Sequence, residues 1–160
     1  MLRKIALVVT VLLAVAWFAQ AAAPPSDAHP GVFTPKDVAW GPGPPFLPAG
    51  VKLAVLQGDP GQAGPFVVRL SMPNGYKIPP HSHPTTENVT VVSGEFHVGM
   101  GDTFEKAKGL KLPPGSFGSL PAQMNHYAWA TGPTVVQVHG EGPFAIKYVK
   151  DADDPRNAKK

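Results

Sequence analysis

The sequence predicts an all-β domain, and three features of its pattern carry this prediction. Short apolar runs rich in Val, Leu and Phe recur at roughly the 8–12-residue spacing that is typical of β-sandwiches and barrels. The 17 glycines and 20 prolines are scattered between these runs and form no repeat. No stretch shows a long amphipathic helical period. The length of 160 residues suits one domain of this kind.

The apolar runs define about eight candidate strands. In chain order they cover residues 51–57, 66–72, 76–78, 89–93, 96–100, 116–120, 126–130 and 135–139, and the last continues through 144–149. Pro73-Asn74-Gly75 predicts a turn between two of them, because Asn and Gly both tolerate a positive φ. Ser93-Gly94-Glu95 predicts a second, tighter turn. Residues 104–109 predict one short helical turn in a charged loop.

The two ends of the chain differ from this pattern. Residues 1–21 combine two early basic residues, an apolar run of 14 residues and a small-x-small ending, which predicts a secretory signal peptide cleaved before Ala22. A retained membrane anchor is the alternative, although a spanning helix needs roughly 20 apolar residues. Residues 22–48 predict a proline-rich arm, 49–150 the β-domain, and 151–160 a polar, frayed tail.

Charge and composition exclude several kinds of protein. Loss of Arg3 and Lys4 with the signal peptide leaves 12 of the 14 basic residues against 11 acidic ones, a net charge of +1. The basic pI of the full chain is therefore no sign of nucleic-acid binding. The chain has no cysteine, so any metal ion must be bound by nitrogen and oxygen donors. We expect an exported protein, periplasmic or secreted, without a stable membrane anchor.

Residue types that bind metals are concentrated between Gly75 and Gly94. His81 and His83 are two residues apart, so on an extended strand both imidazoles point to the same face and can reach one ion. Glu87 lies four residues further on, an even step that returns to this face if the strand continues. A lone His-x-His pair is more often a solvated strand face, but the added glutamate and glycines reverse that preference. Alternatively, Glu87 orients a histidine N–H without binding the ion.

A second segment, Gly115-x5-Pro121-x-Gln-x2-His126, supplies a further donor. His126 could instead be a core histidine bonded to a backbone carbonyl, but its spacing from Gly115 and Pro121 favours a ligand. Three imidazoles and one carboxylate suit one divalent transition metal, and donor chemistry alone does not choose among Fe, Mn, Zn, Ni and Cu. An ion with two free positions acts as a Lewis acid or an oxygen-activating centre.

Together the two segments resemble the paired motifs of the cupin superfamily. The first motif matches completely, whereas in the second Gln123 stands where glycine is usual and Ala130 where asparagine is usual. The resemblance covers roughly residues 51–149. Within the superfamily, the sequence looks like small exported bacterial cupins and is similar to the cupin-like domain of zinc-binding anti-sigma factors. It implies a double-stranded β-helix, or jelly-roll barrel, whose metal ligands are His81, His83, Glu87 and His126.

The resemblance leaves two classes of function open. We expect a metal-dependent enzyme acting on a small oxygenated molecule; the alternative is a non-catalytic protein that binds a small ligand or senses metals or oxidants. An enzyme should place a titratable group within hydrogen-bond reach of the open metal positions, whereas a dry pocket favours binding. Beyond the ligands, the candidate polar groups for the pocket are Gln137, His139 and Glu95, of which only His139 and Glu95 are titratable. Strand parity leaves the face of Gln137 and His139 undecided. Cupins often pair through barrel edges, so we expect a homodimer.

Overall fold

The computed structural model describes residues 31–158, and its regular structure is almost entirely antiparallel β-sheet. In this part of the chain the strands are β1 Gly41–Pro42, β2 Lys52–Gln57, β3 Gly64–Met72, β4 Lys77–Ser82, β5 Glu87–Met100, β6 Leu110–Leu112, β7 Phe117–Leu120, β8 His126–Gly142 and β9 Lys147–Tyr148. The predicted all-β class is confirmed. The predicted signal peptide lies outside the described residues. Within residues 31–158, no helix is long and apolar enough to cross a membrane.

Strands β5 and β8 shape the domain because each of them pairs with three other strands of the nine-stranded sheet. Residues 134–142 of β8 pair with β3, while the beginning of β8 pairs with β4. Strand β5 runs beside β8 and carries β7 on its first half and β6 on its second half. Long strands that change partners along their length curve the sheet into a roll.

Gly94 lies at the bend of β5, where the sequence predicted a tight turn. That prediction is wrong, because β5 continues through this position and only shifts its register against β8. Gly94 has a φ of 82°, and a Cβ at this position would collide with the carbonyl oxygen of Pro133 and lie 2.6 Å from the Cα of Thr134. A positive φ and a close backbone approach therefore both require glycine where β5 shifts its register beside Pro133 and Thr134.

Most predicted strands are present, with bounds that differ by a few residues. Of the five segments predicted as separate strands between residues 89 and 139, four are the halves of β5 and β8, and the segment 116–120 is β7. The prediction missed β1 and β6, which contain two and three residues. Such short strands are defined by their pairing partners and leave no period-2 pattern in the sequence.

Short 3₁₀ turns account for the helical structure of the described residues. The turn expected in the charged loop is confirmed at Lys106–Lys108. The end of the chain was expected to be frayed, but residues 151–157 form two 3₁₀ turns, Asp151–Asp153 and Pro155–Asn157. An ion pair of 2.6 Å between Arg156 and Asp154 holds the second turn.

The hydrophobic core lies inside the roll and follows the pleat of the strands. Alternate residues of β3 and β5 face inward and are buried, as are Val136 and Val138 of β8. The inward-facing residues of β3 and β5 are Phe66, Val68, Leu70, Met72, Val89, Val91, Phe96 and Val98. These side chains form one continuous core that backs the site described below.

Two buried tyrosines hold the proline-rich arm against the domain. Tyr148 donates its phenol to the carbonyl oxygen of Phe46 at 2.8 Å, and Tyr76 donates to that of Pro48 at 2.7 Å. Phe46 and Leu47 pack on the core from outside. The arm therefore covers part of the roll with apolar side chains.

Candidate metal centre

The four side chains predicted as metal ligands meet beside the core. His81 lies in β4, His83 directly follows it, Glu87 begins β5 and His126 begins β8. One donor atom from each residue lies within 4.8 Å of the donor atoms of the others. The three histidines are buried, with at most 7% of their surface exposed. Since metal–ligand bonds to nitrogen and oxygen are about 2.0–2.2 Å long, one ion could bind all four.

Glu87 reaches the cluster by a different route from the predicted one. The even-step argument assumed that the strand of His81 and His83 continues, but β4 ends at Ser82 and β5 begins at Glu87. The chain turns between them, where Pro84 follows His83. His81 pairs directly with His126 across β4 and β8, whereas Glu87 pairs with β7.

Backbone carbonyls set the orientation of all three imidazoles. Each Nδ1 lies within hydrogen-bond distance of a carbonyl oxygen: 2.7 Å from His81 to Pro79, 2.7 Å from His83 to Ala145 and 2.9 Å from His126 to Met124. A carbonyl oxygen only accepts hydrogen bonds, so each Nδ1 carries the proton and donates it. Each Nε2 then has a free lone pair, which is the form of imidazole that binds metals.

The Nε2 atoms lack suitable partners within the described part of the chain. Those of His83 and His126 are buried without any hydrogen bond. Oxygen Oε2 of Glu87 lies 3.2 Å from Nε2 of His126 and 3.6 Å from Nε2 of His83. With the protons on Nδ1 these contacts join lone pairs, and a buried polar atom without a partner costs about 1–3 kcal/mol. A cation between them would satisfy every donor, so the residues fit a divalent metal ion.

The same contacts bear on the two alternatives left by the sequence. Carbonyl oxygens already orient the imidazoles, so Glu87 has no N–H to orient and is placed to bind the ion directly. His126 has the carbonyl partner of a core histidine, but only at Nδ1, while its Nε2 faces the other donors.

Burial governs the protonation of the cluster. It lowers the pKa of His81 to about 3, with further lowering by the nearby His126 and His83. Burial also lowers the pKa of His83. Burial opposes ionisation of Glu87, but the pKa of this carboxyl is lowered on balance. Near neutral pH, protons therefore compete little with a metal ion for His81, His83 and Glu87.

Comparison with known proteins agrees with this arrangement. The family model described as the ChrR cupin-like domain matches residues 28–145. The chain belongs to this cupin family. No curated protein matches it. The resemblance stated from the two motifs is thereby confirmed.

Solved structures similar to this cupin share its fold. The polyketide cyclase RemF from Streptomyces resistomycificus has a TM-score of 0.59 and 19% identity, over 78% of this chain and 88% of that one. An RmlC-like cupin from Shewanella frigidimarina has a TM-score of 0.54 and 17% identity, over 68% and 87%. KdgF from Halomonas sp. has a TM-score of 0.52 and 21% identity, over 68% and 90%. The predicted jelly-roll barrel is confirmed.

Gln123 marks the departure of this cupin from the usual second motif. Its φ is 65°, in the left-handed region that favours glycine. Its backbone N–H donates to the carbonyl oxygen of His83 at 2.9 Å. The turn before His126 is therefore kept without the glycine, and it is tied to the neighbouring ligand segment.

Metal-free cupin should lose stability on mild acidification. Unfolded His81 binds a proton near pH 6.5, whereas in the folded chain it does so only near pH 3. Below pH 6.5 the unfolded state therefore binds more protons, and the free energy of unfolding falls as the pH falls. From pH 7.5 to 5 we expect a loss of about 2 kcal/mol from His81 alone. Urea unfolding in the presence of a chelator measures it, and an equal loss in a His81→Ala variant would contradict this assignment.

Two cavities adjoin the donor cluster of this cupin. A small one of about 20 Å³ extends into the core beside His81, Glu87 and His126 and has room for about one water molecule. The larger cavity, of about 140 Å³, lies beneath the arm and is lined by His81, His83 and Glu87. Among residues 31–158, every other side chain that lines either cavity is apolar or belongs to glycine. Apart from the four predicted ligands, the described lining of the two cavities therefore carries no titratable side chain.

Gln137 and His139 do not line either cavity, which corrects their prediction as pocket residues. They alternate along β8 with Val136 and Val138, which are buried and line the small cavity. The pleat of the strand therefore turns Gln137 and His139 to the outer face. Glu95, the third candidate, is in hydrogen-bond contact with His97 and forms an ion pair with Lys111, and it lines neither cavity.

The sequence argument missed the residues that wall the larger cavity. Phe144 stacks on His83, with 4.2 Å between ring centroids and 15° between ring planes. Its neighbour Ala145 supplies the carbonyl that orients the same histidine. Phe46 and Leu47 of the arm form part of the opposite lining. Their apolar character was visible in the sequence, but nothing local connected them with the motifs.

Proposed function

We propose that this cupin binds one divalent transition metal ion through His81, His83, Glu87 and His126 and uses it to hold a small oxygen-containing molecule. The observation that carries the proposal is that three imidazoles and the Glu87 carboxylate meet in one cluster. Backbone carbonyls fix the tautomer of each imidazole, so that its Nε2 is free to bind an ion. Fe, Mn, Zn, Ni and Cu all suit this donor set.

The protein residues would prepare the ion for an oxygen ligand. The ion itself acts as a Lewis acid when bound. Glu87 is the single anionic donor and would leave a divalent ion with net positive charge, which favours negatively charged or polar oxygen atoms. The apolar walls of the two cavities exclude water and so strengthen this attraction.

Metal-dependent binding is the function that the cavity walls favour over catalysis. Apart from the four donors, the described residues place no group at the cavities that could accept or donate a proton. An enzyme on this site would depend on chemistry supplied by the ion. We keep metal-based catalysis on a small oxygenated molecule as the second candidate, because four protein donors leave an octahedral ion two positions for a substrate.

Export belongs to the same proposal. The basic start, the short apolar run and the small residues at its end support a signal peptide over residues 1–21. The protein would then act outside the cytoplasm as a chain that begins at Ala22, as a homodimer if its barrels pair as in other cupins.

The metal content of the purified chain tests the proposal. Isolated from its exported location without a metal-affinity resin, the chain should contain about one transition metal ion per molecule. Elemental mass spectrometry measures the amount and identifies the ion. Absence of bound metal, even after incubation with each of the five ions and removal of excess, would overturn the proposal.

A further inference from the structure

The larger cavity of this cupin has one polar end and otherwise apolar walls. His81, His83 and Glu87 form the polar end. The remaining lining comes from the core, from the arm and from residues 144–146, and all of it is apolar or glycine. Its volume of about 140 Å³ is close to that of an apolar protein cavity that holds benzene.

Two polar groups beside these walls already have hydrogen-bond partners. The phenol of Tyr148 donates to the carbonyl of Phe46, and the carbonyl of Ala145 accepts from Nδ1 of His83. A hydroxyl, ammonium or carboxylate group placed against the walls would lose its hydrogen bonds to water without replacement. Polyols and amino acids are therefore poor ligands for this cavity.

Two phenyl rings lie beside the polar end of the cavity. Phe144 lies parallel to the imidazole of His83 and tilted at 50° to Phe66, with 5.0 Å between the two phenyl centroids. Both phenyl groups line the cavity. Rings in such positions favour the offset and edge contacts that aromatic ligands make.

We propose that the larger cavity takes a small ligand with an apolar, aromatic body and a single oxygen-bearing end directed at the metal ion. The apolar walls bind the body, the ion binds the oxygen atoms, and polyols and amino acids are rejected. This inference rests on the proposed function, because the oxygen-bearing end needs the ion.

Three hydroxamates provide matched probes, since they share one metal-binding head and differ only in the body. Benzohydroxamate carries a phenyl group, acetohydroxamate a methyl group and gluconohydroxamate a polyol. In calorimetric titrations of the zinc-loaded full chain, we expect benzohydroxamate to bind at least about tenfold more tightly than acetohydroxamate. Gluconohydroxamate should bind no more tightly than acetohydroxamate. The metal-free chain serves as the control for binding without the ion.

Two substitutions on β2 locate the binding of the phenyl group. Leu53 is partly buried and lines the larger cavity, whereas Val55 is 45% exposed two residues along the same strand. A Leu53→Trp variant fills the cavity and should abolish the preference for benzohydroxamate while keeping its zinc. A Val55→Trp variant adds the same side chain outside the cavity and should keep the preference.

The outcomes separate this inference from the proposed function. If zinc and acetohydroxamate bind but the phenyl group brings no advantage, or the advantage persists in Leu53→Trp, the inference about the cavity is wrong and the metal site stands. Tight binding of gluconohydroxamate would also overturn it. If the chain binds no metal at all, both the proposed function and this inference fail.

Discussion

A His81→Ala/His126→Ala double variant is expected to lose at least about nine-tenths of its bound metal. These residues pair across β4 and β8, and their ring centroids are 4.3 Å apart, so the substitution removes two imidazoles from one side of the cluster. The intact chain should also gain about 4 kcal/mol of stability when free metal is present at a thousand times its dissociation constant. The double variant should gain almost none. Elemental mass spectrometry and thermal unfolding with and without added metal measure the two effects.

A His139→Ala variant is the matched control for loss of a histidine. His139 lies on the outer face of β8 and touches neither cavity. It should keep its metal and its stabilisation by added ion. Equal metal loss in the control and the double variant would show that the four-residue cluster is not the binding site.

A Gly94→Ala variant is expected to lose about 3 kcal/mol or more of unfolding free energy. The added Cβ would meet backbone atoms of Pro133 and Thr134, which cannot rotate away as a side chain can. The left-handed φ of 82° adds strain for any residue with a Cβ. Urea unfolding of the metal-free chain measures the loss without a contribution from the ion.

A Gly75→Ala variant separates the cost of the left-handed φ from the cost of the close backbone contact. Gly75 has a nearly equal φ of 76°, but a Cβ there would have no atom within 4 Å. Its substitution should cost only the conformational strain, about 1–2 kcal/mol. If both variants lost the same amount, the close approach of β5 to the segment at Pro133 would contribute nothing to stability.

Local patterns predict most of the fold because alternation and turn residues act over a few positions. The inward valines of β5 and β8 belong to this class. The continuity of β5 does not, because Ser93-Gly94-Glu95 has the composition of a turn, and only the distant residues Pro133 and Thr134 make it a bend inside a strand. The missed strands β1 and β6 likewise depend on partners far away in sequence.

The candidate site also combines features that the sequence predicts with features that only the folded chain determines. Residue types and spacing are enough to predict the four donors, which the fold brings together. The carbonyls that orient the imidazoles were beyond prediction, because every residue carries one and only the folded chain selects among them. For Gln137 and His139 the alternation left two faces, and the burial of Val136 and Val138 decides between them.

The hydrogen bond between His83 and Ala145 couples the position of the candidate ligand His83 to that of the cavity wall. Ala145 holds Nδ1 of His83, and the adjacent Phe144 rests against the same imidazole ring. Both residues also line the larger cavity. A molecule that displaces this wall must therefore also displace the Ala145 carbonyl and the Phe144 ring, which together orient the imidazole of His83. The absorption or magnetic spectrum of a bound cobalt or copper ion would thus report whether the cavity is filled, even for a molecule that never touches the ion.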